Sequence, residues 1–192
     1  MTEEEPSTIR LTDPRAMRAL AHPTRLRLLG ELRARGPQTV GTLSDRLEEA
    51  VGSVSFHLGK LAEHGFVVEA PELARNRRER WWRAAHERTS WGPVQALDDP
   101  ERRVASDLLR RAILERYVER LQTYFELEGT LGPEWVRGTG SSDSWLHLTS
   151  DELVEMRADL EALSARWRAR SDPDRAGAET VTLMYFAFRD PR

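Results

Sequence analysis

Residues 50–64, AVGSVSFHLGKLAEH, constrain this chain more than any other stretch. Val51, Val54, Leu58 and Leu61 recur at spacings of three, four and three, which predicts one apolar stripe along a short helix. Gly52, Ser53, Phe56, Gly59, Lys60 and Glu63 then face the other way. That outer face is small at its N-terminal end and carries a lone cation midway, so it has room to approach another surface closely. Gly65 predicts a left-handed helix stop, and Phe66-Val67-Val68 predicts a strand. A lean outer face on an amphipathic helix, with another short helix before it, is what a DNA major groove accepts. The plainer alternative is an ordinary core helix with a solvated face.

The flanking residues bear on that choice. Asp13-Pro14 and His22-Pro23 each read as a cap followed by a first helical position. Met17 and Leu20 point inward on the first helix, and Leu26, Leu29 and Leu32 on the second, which stops at Gly36-Pro37. Thr39 can cap a third helix buried through Leu43 and Leu47. The turn that follows, Glu48-Glu49-Ala50, lacks the Gly and the Ser or Thr cap expected there. Beyond Gly65, residues 66–70 and 79–84 read as two strands around a polar loop. The loop carries Arg75, Arg77 and Arg78, with Arg80 just past it. Trp82 is expected to pack under this hairpin, with Trp81 on its other face.

Three features together are similar to a known family: Leu20-Ala21-His22-Pro23-Thr24-Arg25-Leu26-Arg27-Leu28-Leu29; Ser55-Phe56-His57-Leu58 with Leu61 and Gly65; and the Arg-rich segment ending in Arg80-Trp81-Trp82. Over roughly residues 13–88 the chain resembles a winged helix-turn-helix regulator of the ArsR type. The resemblance implies a homodimeric regulator, most often a repressor, on an inverted-repeat operator in double-stranded DNA. It places Ser53, Ser55, Phe56, His57 and Lys60 in the major groove. It places Arg75, Arg77, Arg78 and Arg80 of the wing on phosphate or in the minor groove. The position between Ser55 and His57 usually carries a polar residue or tyrosine in this family. Phe56 has no donor or acceptor, so it can only pack against a thymine methyl group. The family's metal sensors use cysteines on the third helix, or Asp and His on the long helix. Residues 42–45 hold no cysteine and residues 100–128 no histidine, so metal sensing by those sites is not expected.

Charge divides the chain. Residues 10–88 hold fifteen basic and ten acidic residues, a balance of +5, and residues 89–192 fourteen and nineteen, a balance of −5. Only the first half is suited to a polyanion, with a moderate, salt-dependent affinity. With no cysteine, disulfides and thiolate metal sites are excluded and a cytoplasmic location is expected. The acidic start, MTEEEPST, is no secretory signal, and no uncharged stretch is long enough to span a membrane. Residues 1–12 are expected to be a disordered tail.

The second half begins with a long helix expected over residues 98–128, opened by Asp98-Asp99-Pro100. Val104, Leu108, Ala112, Tyr117, Leu121 and Phe125, widened by Leu109, Ile113 and Val118, form a broad apolar band. At 1.5 Å per residue this helix spans roughly 40 Å, more than a small domain covers, and a second chain is the natural cover. ArsR-type regulators often dimerise through a helix placed here. Residues 129–192 are expected to form a strand-helix-strand appendage: strands at 144–148 and 180–188 around a helix opened by the capping box Thr149-Ser150-Asp151-Glu152. The expected fold is therefore mainly α with a small β component (α+β). Trp135, Trp145, Trp167 and Tyr185 are either core or a candidate pocket for a small apolar or aromatic effector.

Enzyme chemistry is not expected. The chain has no nucleophile elbow, no P-loop and no dinucleotide fingerprint, and no cofactor is implied. His57 and His64 lie about 10 Å apart along one helix, too far for one metal ion. The competing reading is a winged-helix protein-interaction module that no longer reads DNA.

Overall fold

A computed structural model describes residues 7–76, 79–90 and 99–191. The chain divides into two units, Met1–Tyr124 and Phe125–Arg192. The first opens with strand β1 (Thr8–Arg10), then α1 (Pro14–Leu20) and α2 (Pro23–Arg35). Both helices start at proline, where a missing N–H costs nothing, and Asp13 caps α1 by accepting from the Arg15 amide. Next come β2 (Gln38–Thr39), α3 (Val40–Leu47) and α4 (Val51–Glu63). Gly36 and Gly65 end α2 and α4 at positive φ, 75° and 71°, a region that favours glycine.

The strands β3 (Val67–Glu69) and β4 (Trp81–Ala84) form the expected hairpin. β2 joins it antiparallel on the other side of β4, giving the order β2-β4-β3. Trp82 is buried beneath it, as expected. The core is built from Leu28, Leu32, Leu43, Leu58, Leu61 and Phe66, every one essentially inaccessible. The leucines sit at the periodic positions of α2, α3 and α4, so the pattern fixes the packing.

Two expectations for this unit are corrected. Residues 7–12 are not a disordered tail. Thr8–Arg10 pairs in parallel with β5 (Arg88–Ser90), and Leu11 is buried in the core. Arg33 reinforces that corner by donating to the His86 carbonyl at 3.0 Å and the Thr89 hydroxyl at 2.8 Å. Residues 1–6 of that tail lie outside the described residues. Val51 does not extend the buried stripe of α4. It sits at the first helical position and is 57% exposed.

The turn between α3 and α4 forms without glycine. Glu48 takes the left-handed conformation itself, at φ 54°, and caps α3. Its neighbour holds the turn closed. The Glu49 amide donates to the Ser44 carbonyl, and the Ser44 hydroxyl donates to the Glu49 carbonyl. The Glu49 carboxylate accepts from Thr24 and pairs with Arg27 on α2.

The long helix α5 runs from Pro100 to Leu127. Ala105, Ser106, Leu109 and Ile113 pack into the core, and Arg116 lies so close to Gly30 that a side chain there would collide with its guanidinium. The opposite face is apolar and open: Val104, Leu108, Val118 and Leu121 are all exposed. The expected band is thus two faces, one buried in the core and one without cover among the described residues.

The second unit contains a 3-10 turn (Glu128–Thr130), α6 (Pro133–Gly138) and α7 (Ser150–Ala169). Thr149 and Glu152 close the capping box at the start of α7 as expected. The two strands expected at 144–148 and 180–188 are not formed. A strand is stable only against a neighbour, and neither segment finds a ladder partner among the described residues. Their β-forming side chains, such as Trp145, Val181 and Phe188, are exposed instead. The appendage is a helical unit flanked by chain without regular secondary structure, not strand-helix-strand.

Candidate nucleic-acid interface

The outer face of α4 is the centre of the candidate site. Val54, Leu58 and Leu61 are fully buried, so the helix cannot rotate, and that fixes what its other side presents. Gly52, Ser55 and Phe56 are exposed, and Gly59 partly so. Phe56 is 60% exposed, with its ring 5.3 Å from that of His57, edge-on. It is not a core residue. Ala50 supplies no side-chain cap, so the first amides of α4 have no intrachain side-chain acceptor at the cap.

The other expected contacts on α4 divide into two groups. Lys60 donates to both carboxylate oxygens of Glu63, at 2.9 and 2.8 Å, and its ammonium is 6.0 Å from the Phe56 ring. It remains on the outer face, partly neutralised. Ser53 turns toward Glu49 of the α3–α4 turn, and His57 toward His22 at the start of α2. The Ser53 hydroxyl reaches Glu49 at 3.5 Å, and the His57 ring lies 4.5 Å from His22, tilted by 40°. The outer face of α4 is therefore carried by Gly52, Ser55, Phe56, Gly59 and Lys60.

His22 enters the site as an unexpected neighbour, because nothing in local sequence joins residues 22 and 57. Both imidazoles are held below the ordinary value of 6.5. For His22 the main cause is partial burial, then the Arg25 charge, with Glu49 opposing. For His57 it is burial, then His22 and Arg25, again with Glu49 opposing. Both Nδ1 atoms are buried with no hydrogen-bond partner. A histidine whose folded value is depressed binds fewer protons folded than unfolded, so it contributes no penalty above 6.5 and lowers stability as pH falls through that value toward the folded one. Wild type is expected to melt at lower temperature at pH 5 than at pH 7. The double replacement His22→Gln with His57→Gln should flatten that part of the profile. Equal slopes in the two proteins would show that the pair is not responsible.

The hairpin lies beside this face. A groove of about 350 Å³ runs between them, lined by Thr39, Val40, Gly41, Val51, Ser55, Glu79 and Arg80. It brings Ser55 and Arg80 together. It also adds Thr39 and Gly41 at the start of α3, where the Thr39 hydroxyl accepts from the Thr42 amide at 3.1 Å. Arg80 pairs with Glu69 and stacks 5.3 Å from the Trp82 ring, and Arg83 pairs with Glu72. The Arg75 side chain is exposed, while its amide donates to Glu79 at 2.9 Å. Arg77 and Arg78 lie outside the described residues.

The candidate effector pocket rests on four aromatics of the second unit. The second unit has a cleft of about 540 Å³ lined by Glu128, Gly129, Leu131, Pro133, Val136 and Arg137, and none of the four lines it. Trp135, Trp145, Trp167 and Tyr185 are each exposed. Among the described residues no cluster of metal-ligating side chains occurs, and no helix is long and apolar enough to cross a membrane.

No curated protein sequence matches the chain. Among solved structures, a variant of ZitR from Lactococcus lactis in apo form is similar at 16% identity over 77% of this chain and 83% of that one, with a TM-score of 0.34. The transcriptional regulator Tm0710 from Thermotoga maritima is similar at 16% identity over 79% and 81%, with a TM-score of 0.32. Neither likeness bears on function. The family comparison is specific to the site: residues 20–70, which contain α2, α3, α4 and β3, match the model of a helix-turn-helix domain.

Proposed function

We propose that the protein is a sequence-specific, DNA-binding transcription regulator of the ArsR type. It acts as a repressor, binding an inverted-repeat operator as a homodimer through α5. The observation that carries this reading is the exposed, lean face of α4, with Phe56 at its centre, set beside the hairpin groove inside a helix-turn-helix domain. A helix whose buried side is fully locked and whose outer side is two glycines, a serine and an aromatic ring can seat in a major groove without rearrangement. DNA as ligand implies action in the cytoplasm.

In this reading the hairpin positions and α4 reads. Wing arginines meet phosphate or the minor groove and carry little sequence information. Replacing Arg77 and Arg78 with Ala is expected to weaken binding to all duplexes alike. The slope of log affinity against log salt should flatten by about 0.9 for each phosphate that is no longer neutralised. An unchanged slope would mean that the wing does not touch DNA.

One observation favours a second reading, a winged-helix module that binds protein instead. Lys60, Arg80 and Arg83 are each paired with a carboxylate: Glu63, Glu69 and Glu72. Phosphate must displace these carboxylates before the cations can serve DNA. Exposed pairs of this kind contribute only ~0–1 kcal/mol each, so displacement is easy and the DNA reading stands.

A further inference from the structure

The second unit holds a well-built helix whose apolar side is only partly covered among the described residues. Along α7, Leu153, Met156, Leu160, Leu163 and Trp167 alternate at spacings of three and four, the seam pattern of a coiled coil. The helix has a complete capping box, yet no residue in it is buried, and Trp167 at the end of the seam is 54% exposed. A full start signal with an open seam marks a helix made to pack on another.

Its charges say which other. The first half of α7 carries Asp151, Glu152, Glu155 and Asp159 against one cation, Arg157. The last turn carries Arg166 and Arg168, with Arg170 just beyond. The helix dipole accounts for acids in the first turn and bases in the last, but not for Glu155 and Asp159 farther in. Two such helices laid parallel would set acid against acid. Laid antiparallel, each acidic half meets a basic end.

We infer that α7 is a self-association surface of its own, on which α7 of a second copy packs antiparallel. The alternation then sets Leu153 against Leu163 of the second copy and Met156 against Leu160 of the second copy. Glu152 flanks the seam opposite Arg166 of the second copy, and the two-fold axis passes between the two Asp159 side chains, the one place in this pairing where acid meets acid. This assigns Trp167 and the α7 seam to a protein interface and not to an effector pocket. It does not depend on whether the protein reads DNA.

The chain contains no cysteine, so a single introduced thiol reports on one place only. In the full-length protein, Asp159→Cys places two thiols at the axis, and oxidation should give a disulfide-linked dimer in high yield. Leu153→Cys is the contrasting variant. In the antiparallel pair two residues at that position lie about 15 Å apart along the axis, beyond the ~7 Å Cα separation that a disulfide spans. It should stay monomeric on a non-reducing gel. Glu152→Arg in the Asp159→Cys chain should lower the linked yield several-fold, and adding Arg166→Glu should restore it. Linkage through Leu153→Cys, through both variants or through neither would overturn the proposal. So would a yield indifferent to the two charge reversals.

Discussion

A chain carrying Leu108→Glu and Leu121→Glu is expected to be monomeric at micromolar concentration, where wild type is expected to be a dimer. Both side chains lie on the face of α5 turned away from the core, at 47% and 43% exposure, so the substitutions leave the fold intact. Covering a leucine contributes about 1.5–3 kcal/mol, and a two-fold interface loses four of them. A micromolar dimer rests on about 8 kcal/mol, so the loss is decisive even before the new carboxylates are counted. Affinity for an inverted repeat should fall with the dimer, because each monomer holds one half-site. Mass in solution and thermal melting of the two proteins check this together. Wild type found as a monomer would end the assignment of α5, and a mutant that no longer melts cooperatively would place the two leucines in the core.

The second large effect is expected at Phe56. With Phe56 60% exposed, and His57 and Lys60 beside its ring, Phe56→Ala should leave stability nearly unchanged. Operator affinity should nonetheless fall by roughly 1–3 kcal/mol, the value of one good base contact. Replacing thymine by uracil in the half-site removes only the methyl group. That change should reproduce part of the loss in wild type and add nothing in Phe56→Ala. If the substitution instead costs the ~3–5 kcal/mol of stability typical of a truncated core aromatic, the ring is buried in solution. Reading would then fall to Ser55 and Lys60.

Phe56 also shows how far the sequence reaches. Its outward position follows from Val54, Leu58 and Leu61, because a helix with three locked residues has only one way to face. The same period places Leu43, Leu47 and the leucines of α2 in the core. What the sequence hides is set by contacts between distant residues. β1 is three residues long and pairs with β5 some eighty positions later, so Thr8–Arg10 carries no local strand signal. The family resemblance places His57 in the groove, but the start of α2 brings His22 against it. The α3–α4 turn looks weak for want of glycine, yet Glu48 adopts the left-handed conformation and Glu49 ties the turn to α2. The converse holds at 180–188, where strong β propensity predicts a strand that does not form. Propensity describes what a segment tolerates, and a ladder also needs a neighbour.

The central claim is that the exposed face of α4 reads base sequence, and selection from a random duplex library tests it most directly. Purified full-length protein would be cycled against the library at physiological salt, and the bound fraction sequenced. The expected result is enrichment of an inverted repeat whose half-sites are centred one helical turn apart, about 34 Å, with a thymine in each. Specific sites should bind at least ~10³-fold tighter than the starting pool. No enrichment over the starting pool, or binding that follows salt and duplex length alone, would contradict the account.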